Sequence, residues 1–300
     1  MAQLADLFPG YESRFIETSA GKLFARIGGR GSPVLLLHGY PETNVMWHRL
    51  APLLADKHTL IIPDLPGYGQ SDAPESGVDH APYNKRAMAQ AMVELMEKLG
   101  HKRFAIVGHD RGGRVSYRLA LDHPERVTKI STLDIVPTYE VWAGINAKRA
   151  MKVFHWTFLA QPFPLPEMLI GKAPVEYLEW KMLAWNGRDT NSVFDPRALD
   201  HYRAFFKQPA RLHATCEDYR AGQTTDFEHD DADRKAGRKI EAPLLALWGV
   251  TGIPSAGENS LDVWRRWASN VSGKVIPCGH FLAEEAPKET AAELLPFLDR

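Results

Sequence analysis

Short apolar runs alternate along the first half of this chain with longer segments whose apolar positions recur every three or four residues. "SPVLLLHG" (32–39) and "HTLIIPDLPG" (58–67) are continuous apolar runs ended by glycine, the pattern of strands covered on both faces. "YNKRAMAQAMVELMEKLG" (83–100) places Met88, Ala91, Met92, Leu95 and Leu99 on one face of a helix that Gly100 stops. "RFAIVGHD" (103–110) predicts the next strand, "RVSYRLALDHP" (114–124) a helix and "KISTLDIV" (129–136) another strand. Such alternation predicts an α/β fold: a mostly parallel sheet flanked by helices.

After Pro137 the texture changes. "VFHWTFLAQPFP", "EYLEWKMLAW" and "HYRAFF" are rich in aromatics at helical spacing, without a convincing strand. "PLLALWG" (243–249) and "GKVIPCG" (273–279) then resume the strand pattern, and a helix within 286–298 follows. The expected organisation is a core of residues 1–138 and 239–300 interrupted by a helical cap at 139–238. The polar stretch 216–239 reads as the cap's return path to the core. "IGGRGS" (27–32) lacks the spacing of a phosphate loop and reads as a turn between strands.

Composition narrows the classes. The 300 residues carry 36 basic and 37 acidic side chains, a formal net charge of −1, with no basic run to favour nucleic acid. No apolar run approaches the ~18 residues of a membrane span, and the start lacks a signal-peptide pattern, so a cytoplasmic protein is expected. Cys216 and Cys278 are far apart and outside any CxxC spacing, which argues against a disulfide framework or structural zinc site. Neither metal nor cofactor is expected.

The chemistry is concentrated in "VGHDRGGR" (107–114). A Gly-x-nucleophile-x-Gly turn between strand and helix usually centres on serine; here Asp110 stands there, between Gly108 and Gly112. A carboxylate gains little by attacking an acyl group. Attack on a saturated carbon with a leaving group instead gives an alkyl ester, which water can hydrolyse. His280 in "PCGHF" follows the last strand and suits the base. Asp134, ending "STLD", is the expected acid, because Gly252 stands where an aspartate often follows "LLALWG". Asp262 is the fallback, though it also fits a helix's first turn. Backbone N–H groups of Arg111 and Tyr40 would form the oxyanion hole, with His38 supporting the loop.

Arg111 and Arg114 lie three apart at a helix start, where cations oppose the helix dipole. Solvated or salt-bridged arginines are the plain alternative to a forked clamp for a substrate carboxylate beside Asp110.

Together, "HGYPETNVMW", "DLPGYGQSD", "GHDRGGR", "STLDIVP" and "GHFLAEEAP" resemble the fluoroacetate (haloacetate) dehalogenases of the α/β-hydrolase superfamily. The resemblance implies Asp110 as nucleophile, His280 as base, Asp134 as orienting acid, and Arg111 and Arg114 as the carboxylate clamp. It further implies that His155, Trp156 and Tyr219 bind the halide, and that Trp185 forms a pocket wall. Residue pattern alone would leave His155, Trp156 and Tyr219 as ordinary cap aromatics. A homodimer and a small haloacid substrate, without nucleic acid or membrane, complete what the resemblance implies.

An epoxide hydrolase would use Asp110 and His280 similarly, with Tyr139, Tyr177, Tyr202 or Tyr219 as acids, but has no evident use for an arginine clamp. A chloroacetate-preferring 2-haloacid dehalogenase is the other enzymatic alternative. A binding protein with lost catalysis would be expected to show a broken triad.

Overall fold

The computed structural model describes residues 4–188, 190–252 and 258–299. Eight strands form one sheet: β1 (Glu12–Thr18), β2 (Gly21–Gly29), β3 (Ser32–Leu37), β4 (His58–Pro63), β5 (Phe104–His109), β6 (Val127–Leu133), β7 (Leu244–Gly249) and β8 (Val271–Ile276). Their order is β1-β2-β4-β3-β5-β6-β7-β8. From β4 through β8 every pairing is parallel, whereas β1–β2 and β2–β4 are antiparallel. The α/β expectation therefore holds, with an added antiparallel hairpin at one edge.

Side-chain alternation explains the two covered faces. Val34 and Leu36 of β3 join Leu60, Ile62, Ala105 and Val107 in one apolar cluster. Leu35 and Leu37 join Ile61, Phe104 and Ile106 in the other. The helix Lys85–Lys98 packs on that second face through Met88, Met92 and Leu95, and the Asn84 side chain caps it by accepting the Ala87 N–H at 2.8 Å.

Between β6 and β7 the elements are helical. Phe154–Leu159, Pro174–Trp185, Pro196–Phe206 and Pro209–Gln223 contribute Trp156, Leu178, Tyr202 and Tyr219 to the first cluster, so this segment shares a core with the sheet. The polar stretch 216–239 is not a plain return path. It completes the helix Pro209–Gln223 and forms the helix Thr225–Lys235, with Asp218, Asp226, Asp230 and Asp233 buried. Arg118 holds Asp230 at 2.7 Å and Asp233 at 2.5 Å, while Tyr117 donates to Asp230 at 2.7 Å. Paired charges can be buried where lone ones cannot, which composition alone hides. Among the described residues, no helix is long and apolar enough to cross a membrane.

Candidate active site

The register His109↔Leu133 places Asp110 and Asp134 side by side, one residue beyond the carboxyl ends of adjacent parallel strands β5 and β6. Both have left-handed backbone, φ 42° and 54° respectively, which is strained for residues with a Cβ and turns each carboxylate off its strand. Asp110 opens the helix Asp110–Asp122 directly after β5. Glycine is required around it. A Cβ on Gly39 would lie 2.5 Å from that of Asp110, and one on Gly112 would collide with the carbonyls of Leu37 and His38.

His280 closes the constellation. Its Nδ1 lies 2.6 Å from Asp134 Oδ2, while Asp134 Oδ1 accepts the Gly249 N–H at 2.9 Å. The ring backbone is also fixed: the His280 N–H donates to Trp185 O, and His109 Nε2 lies 2.9 Å from the His280 carbonyl. His280 Nε2 is buried without a hydrogen-bond partner among the described residues. Asp262, the fallback acid, lies on the helix Ser260–Trp267 and pairs with Arg265 at 2.7 Å on the surface. Residues 253–257 of the "VTGIPSAG" stretch lie outside the described residues.

The Tyr40 N–H donates to Asp110 Oδ1 at 3.0 Å. His38 braces this loop: Nε2 accepts the Leu65 N–H at 3.0 Å, so Nδ1 carries the proton toward Gly39 O. Burial pushes the His38 imidazole down to about 4, keeping it neutral. Asp110 is only 2 % exposed. Burial would raise its pKa, but His280, Arg114, Arg111 and His109 together hold it below the ordinary carboxylate value.

Both arginines are fully buried, which rules out the solvated alternative. Arg111 is salt-bridged to Asp218, a partner that sequence reasoning missed: Nε reaches Oδ2 at 3.0 Å and Nη2 reaches Oδ1 at 2.5 Å. Lys85 and the Tyr68 hydroxyl bind the same carboxylate. Burial raises Asp218, yet Arg111 and Lys85 outweigh it and bring the group to about 2. Arg114 differs. Its Nη1 donates to Val136 O and Thr138 Oγ1, and no carboxylate forms a salt bridge with it among the described residues. Arg111 Nη1 and Arg114 Nε and Nη2 are buried and without a hydrogen-bond partner among the described residues.

The predicted aromatics stand around those free donors. Tyr219 lies against Arg111, ring centroid 4.2 Å from Cζ, and Trp156 against Arg114 at 4.4 Å. His155 packs on Trp185 at 4.5 Å and edge-on to Tyr219 at 5.6 Å. Trp156 Nε1, Tyr219 Oη and His155 Nδ1 are buried without hydrogen-bond partners among the described residues. Burial, then the charges of Lys181 and His280, push His155 well below its ordinary value, so it is a neutral donor. Trp185 also meets His280 edge-on at 5.4 Å. Apart from the fallback acid Asp262, the sequence-predicted site residues thus fall in one neighbourhood. Asp218 was within reach of sequence, directly before Tyr219, but only its partners give it a role.

Comparison with known proteins identifies the family of the fold. A model of the alpha/beta hydrolase fold matches residues 32–287. A fluoroacetate dehalogenase from Burkholderia sp is 41% identical over 97% of this chain and 95% of that protein. A soluble epoxide hydrolase from Corynebacterium sp. (strain C12) is 31% identical over 90% of this chain and 91% of that protein. A solved alpha/beta hydrolase structure from Nostoc sp PCC 7120 superimposes with TM-score 0.93 at 49% identity, covering 96% of this chain and 98% of that one. The chain is a hydrolase of the alpha/beta hydrolase family, similar over nearly its whole length to a fluoroacetate dehalogenase.

Proposed function

We propose that the protein hydrolyses a haloacetate, fluoroacetate in particular, to glycolate and halide. One observation carries the reading: among the described residues, buried guanidinium donors of Arg111 and Arg114 beside the Asp110 carboxylate have no hydrogen-bond partner. Unsatisfied buried cationic donors are costly, and a substrate carboxylate would satisfy them. The fork would also hold the α-carbon in front of Asp110.

Asp110 Oδ2 attacks that carbon from the side opposite the halogen; the new C–O bond forms as the C–X bond breaks. The halide departs with the bonding pair toward the Trp156, Tyr219 and His155 donors, which matter most for fluoride, a poor leaving group. His280 Nε2 then takes a proton from water, and the hydroxide adds to the Asp110 ester carbonyl. Charge develops on Oδ1, already at the Tyr40 N–H, with the Arg111 N–H as second donor. Asp134 steadies the imidazolium. Collapse breaks the ester bond, and the glycolate alkoxide takes the proton from His280. The Asp110 carboxyl releases the remaining water proton to solvent, which restores the carboxylate.

Epoxide hydrolysis is less well supported. Of the four tyrosines considered as acids, Tyr139 stacks on Phe227 and Tyr202 lies against Glu284 and Glu42. Tyr177 lies against the Tyr40 hydroxyl, and Tyr219 is the one packed on Arg111. A neutral epoxide would leave the guanidinium donors unsatisfied.

Fluoride release from fluoroacetate, followed with an ion-selective electrode beside chloride release from chloroacetate, tests the proposal. Both ions are expected. Chloride alone would make the enzyme a chloroacetate-preferring dehalogenase; neither ion would overturn the reading.

A further inference from the structure

A cavity of about 650 Å3 reaches the candidate active site from one side, at His280. Its lining reaches His155, Trp185 and His280 but none of Asp110, Arg111, Arg114, Trp156 or Tyr219. His155 and Trp185 also pack on Tyr40, whose N–H binds Asp110, so these two rings connect the cavity lining to the Asp110 side of the site.

The cavity's charge is one-sided. Lys152, Lys181 and Arg188 line it, and no carboxylate does among the described residues. Lys152 is occupied, its Nζ 2.8 Å from Gly252 O. Lys181 is not. Only 1 % of it is exposed, and no hydrogen bond or ion pair holds its ammonium among the described residues. Its neighbours are rings: Trp185 at 3.9 Å, Phe154 at 4.6 Å and Trp180 at 5.4 Å from Nζ. Aromatic faces recover only part of the hydration such a cation gives up. Burial accordingly presses Lys181 down to about 7. A core position against three rings would be served by methionine or leucine at no such cost.

We infer that this cavity is an anion-staging vestibule, in which Lys181 receives the carboxylate of an incoming haloacid before it passes Trp185 and His155 to the arginine clamp. The inference rests on the haloacetate reading. Lysine suits a staging point because it offers a point charge without a bidentate fork. The carboxylate then moves from a single ammonium to the paired guanidinium donors of Arg111 and Arg114, which hold it more firmly. Lys181 also lies on the face of Trp185, so the same cation that attracts the substrate positions the ring it must pass.

Steady-state kinetics of Lys181→Met and Lys181→Arg on whichever haloacetate the unaltered enzyme turns over provide the test. Methionine keeps the packing and removes the charge. The expected result is kcat/KM lower by about tenfold in Lys181→Met, seen as a raised KM with kcat within about twofold. Lys181→Arg keeps most of the wild-type value. In about 0.5 M salt the wild type approaches Lys181→Met, because screening removes the attraction. Lys181→Met matching wild type at low salt would overturn the inference, as would equal impairment in the arginine variant. Absence of halide release by the unaltered enzyme would instead sink the functional reading itself, so the two failures are told apart.

Discussion

Asp218 grips the Arg111 guanidinium through both carboxylate oxygens, Nε at 3.0 Å and Nη2 at 2.5 Å, and leaves Nη1 without a partner among the described residues. The pairing fixes the plane of the guanidinium, which would otherwise turn about its own stem. Asp218 is therefore a positioning residue, acting on substrate through Arg111. Asp218→Asn should raise KM for haloacetate more than it lowers kcat. It should also destabilise the fold by about 3–5 kcal/mol, since Lys85 and Arg111 would be left underpaired in the interior. Urea unfolding and a KM-against-kcat comparison measure the two effects, and an unchanged KM would argue against positioning.

Arg114 has no such partner among the described residues, so its charge is available to an anion. Arg114→Gln should lower kcat/KM for chloroacetate by about a hundredfold or more. Lysine should not rescue it, lacking the planar fork. Full activity in Arg114→Lys would mean that the clamp acts as charge alone.

Tyr219→Phe and Trp156→Phe each remove one donor while retaining most of the aromatic surface. Because fluoride needs more stabilisation as it departs, each variant should lose about ten- to a hundredfold on fluoroacetate and less than about threefold on chloroacetate. Parallel fluoride and chloride release assays give the ratio. Equal losses on both substrates would make these residues packing elements.

Much of this arrangement was legible in the chain. Asp110 between two glycines, His280 after the last strand and Asp134 ending its strand are short-range patterns tied to strand ends, and the sheet brings strand ends together. The edge hairpin β1–β2 was less visible, because "ESRFIET" and "GKLFARIGG" mix charge and apolar residues, as strands near a sheet edge do. The buried acids of residues 216–239 were hidden for another reason. Asp218 and Asp230 are core residues only because Arg111, Lys85 and Arg118 meet them from elsewhere in the chain. Such pairing is a property of the tertiary fold, not of local composition.

Behind His280, the Glu42 and Glu284 carboxyls face one another, and Glu42 Oε2 lies 3.0 Å from His109 Nδ1. Burial pushes Glu42 from 4.5 up to about 8, so the fold keeps its proton where the unfolded chain has lost it. Its contribution therefore declines as pH rises from about 4.5 toward 8. Glu42→Gln cannot ionise, so its stability relative to wild type should improve as pH rises across that window. Chemical denaturation at several pH values measures the difference, and parallel curves would contradict it.

Single turnover in heavy-oxygen water tests the covalent role of Asp110 most directly. With enzyme in excess over haloacetate, the account predicts that the first glycolate carries ordinary oxygen taken from Asp110. The heavy atom should appear in the peptide containing Asp110, by mass spectrometry. In Asp110→Asn, turnover should fall by at least about a thousandfold, and His280→Gln should accumulate the ester on Asp110. Heavy oxygen found in the first glycolate, with none in the Asp110 peptide, would mean that water attacks carbon directly and would contradict the account.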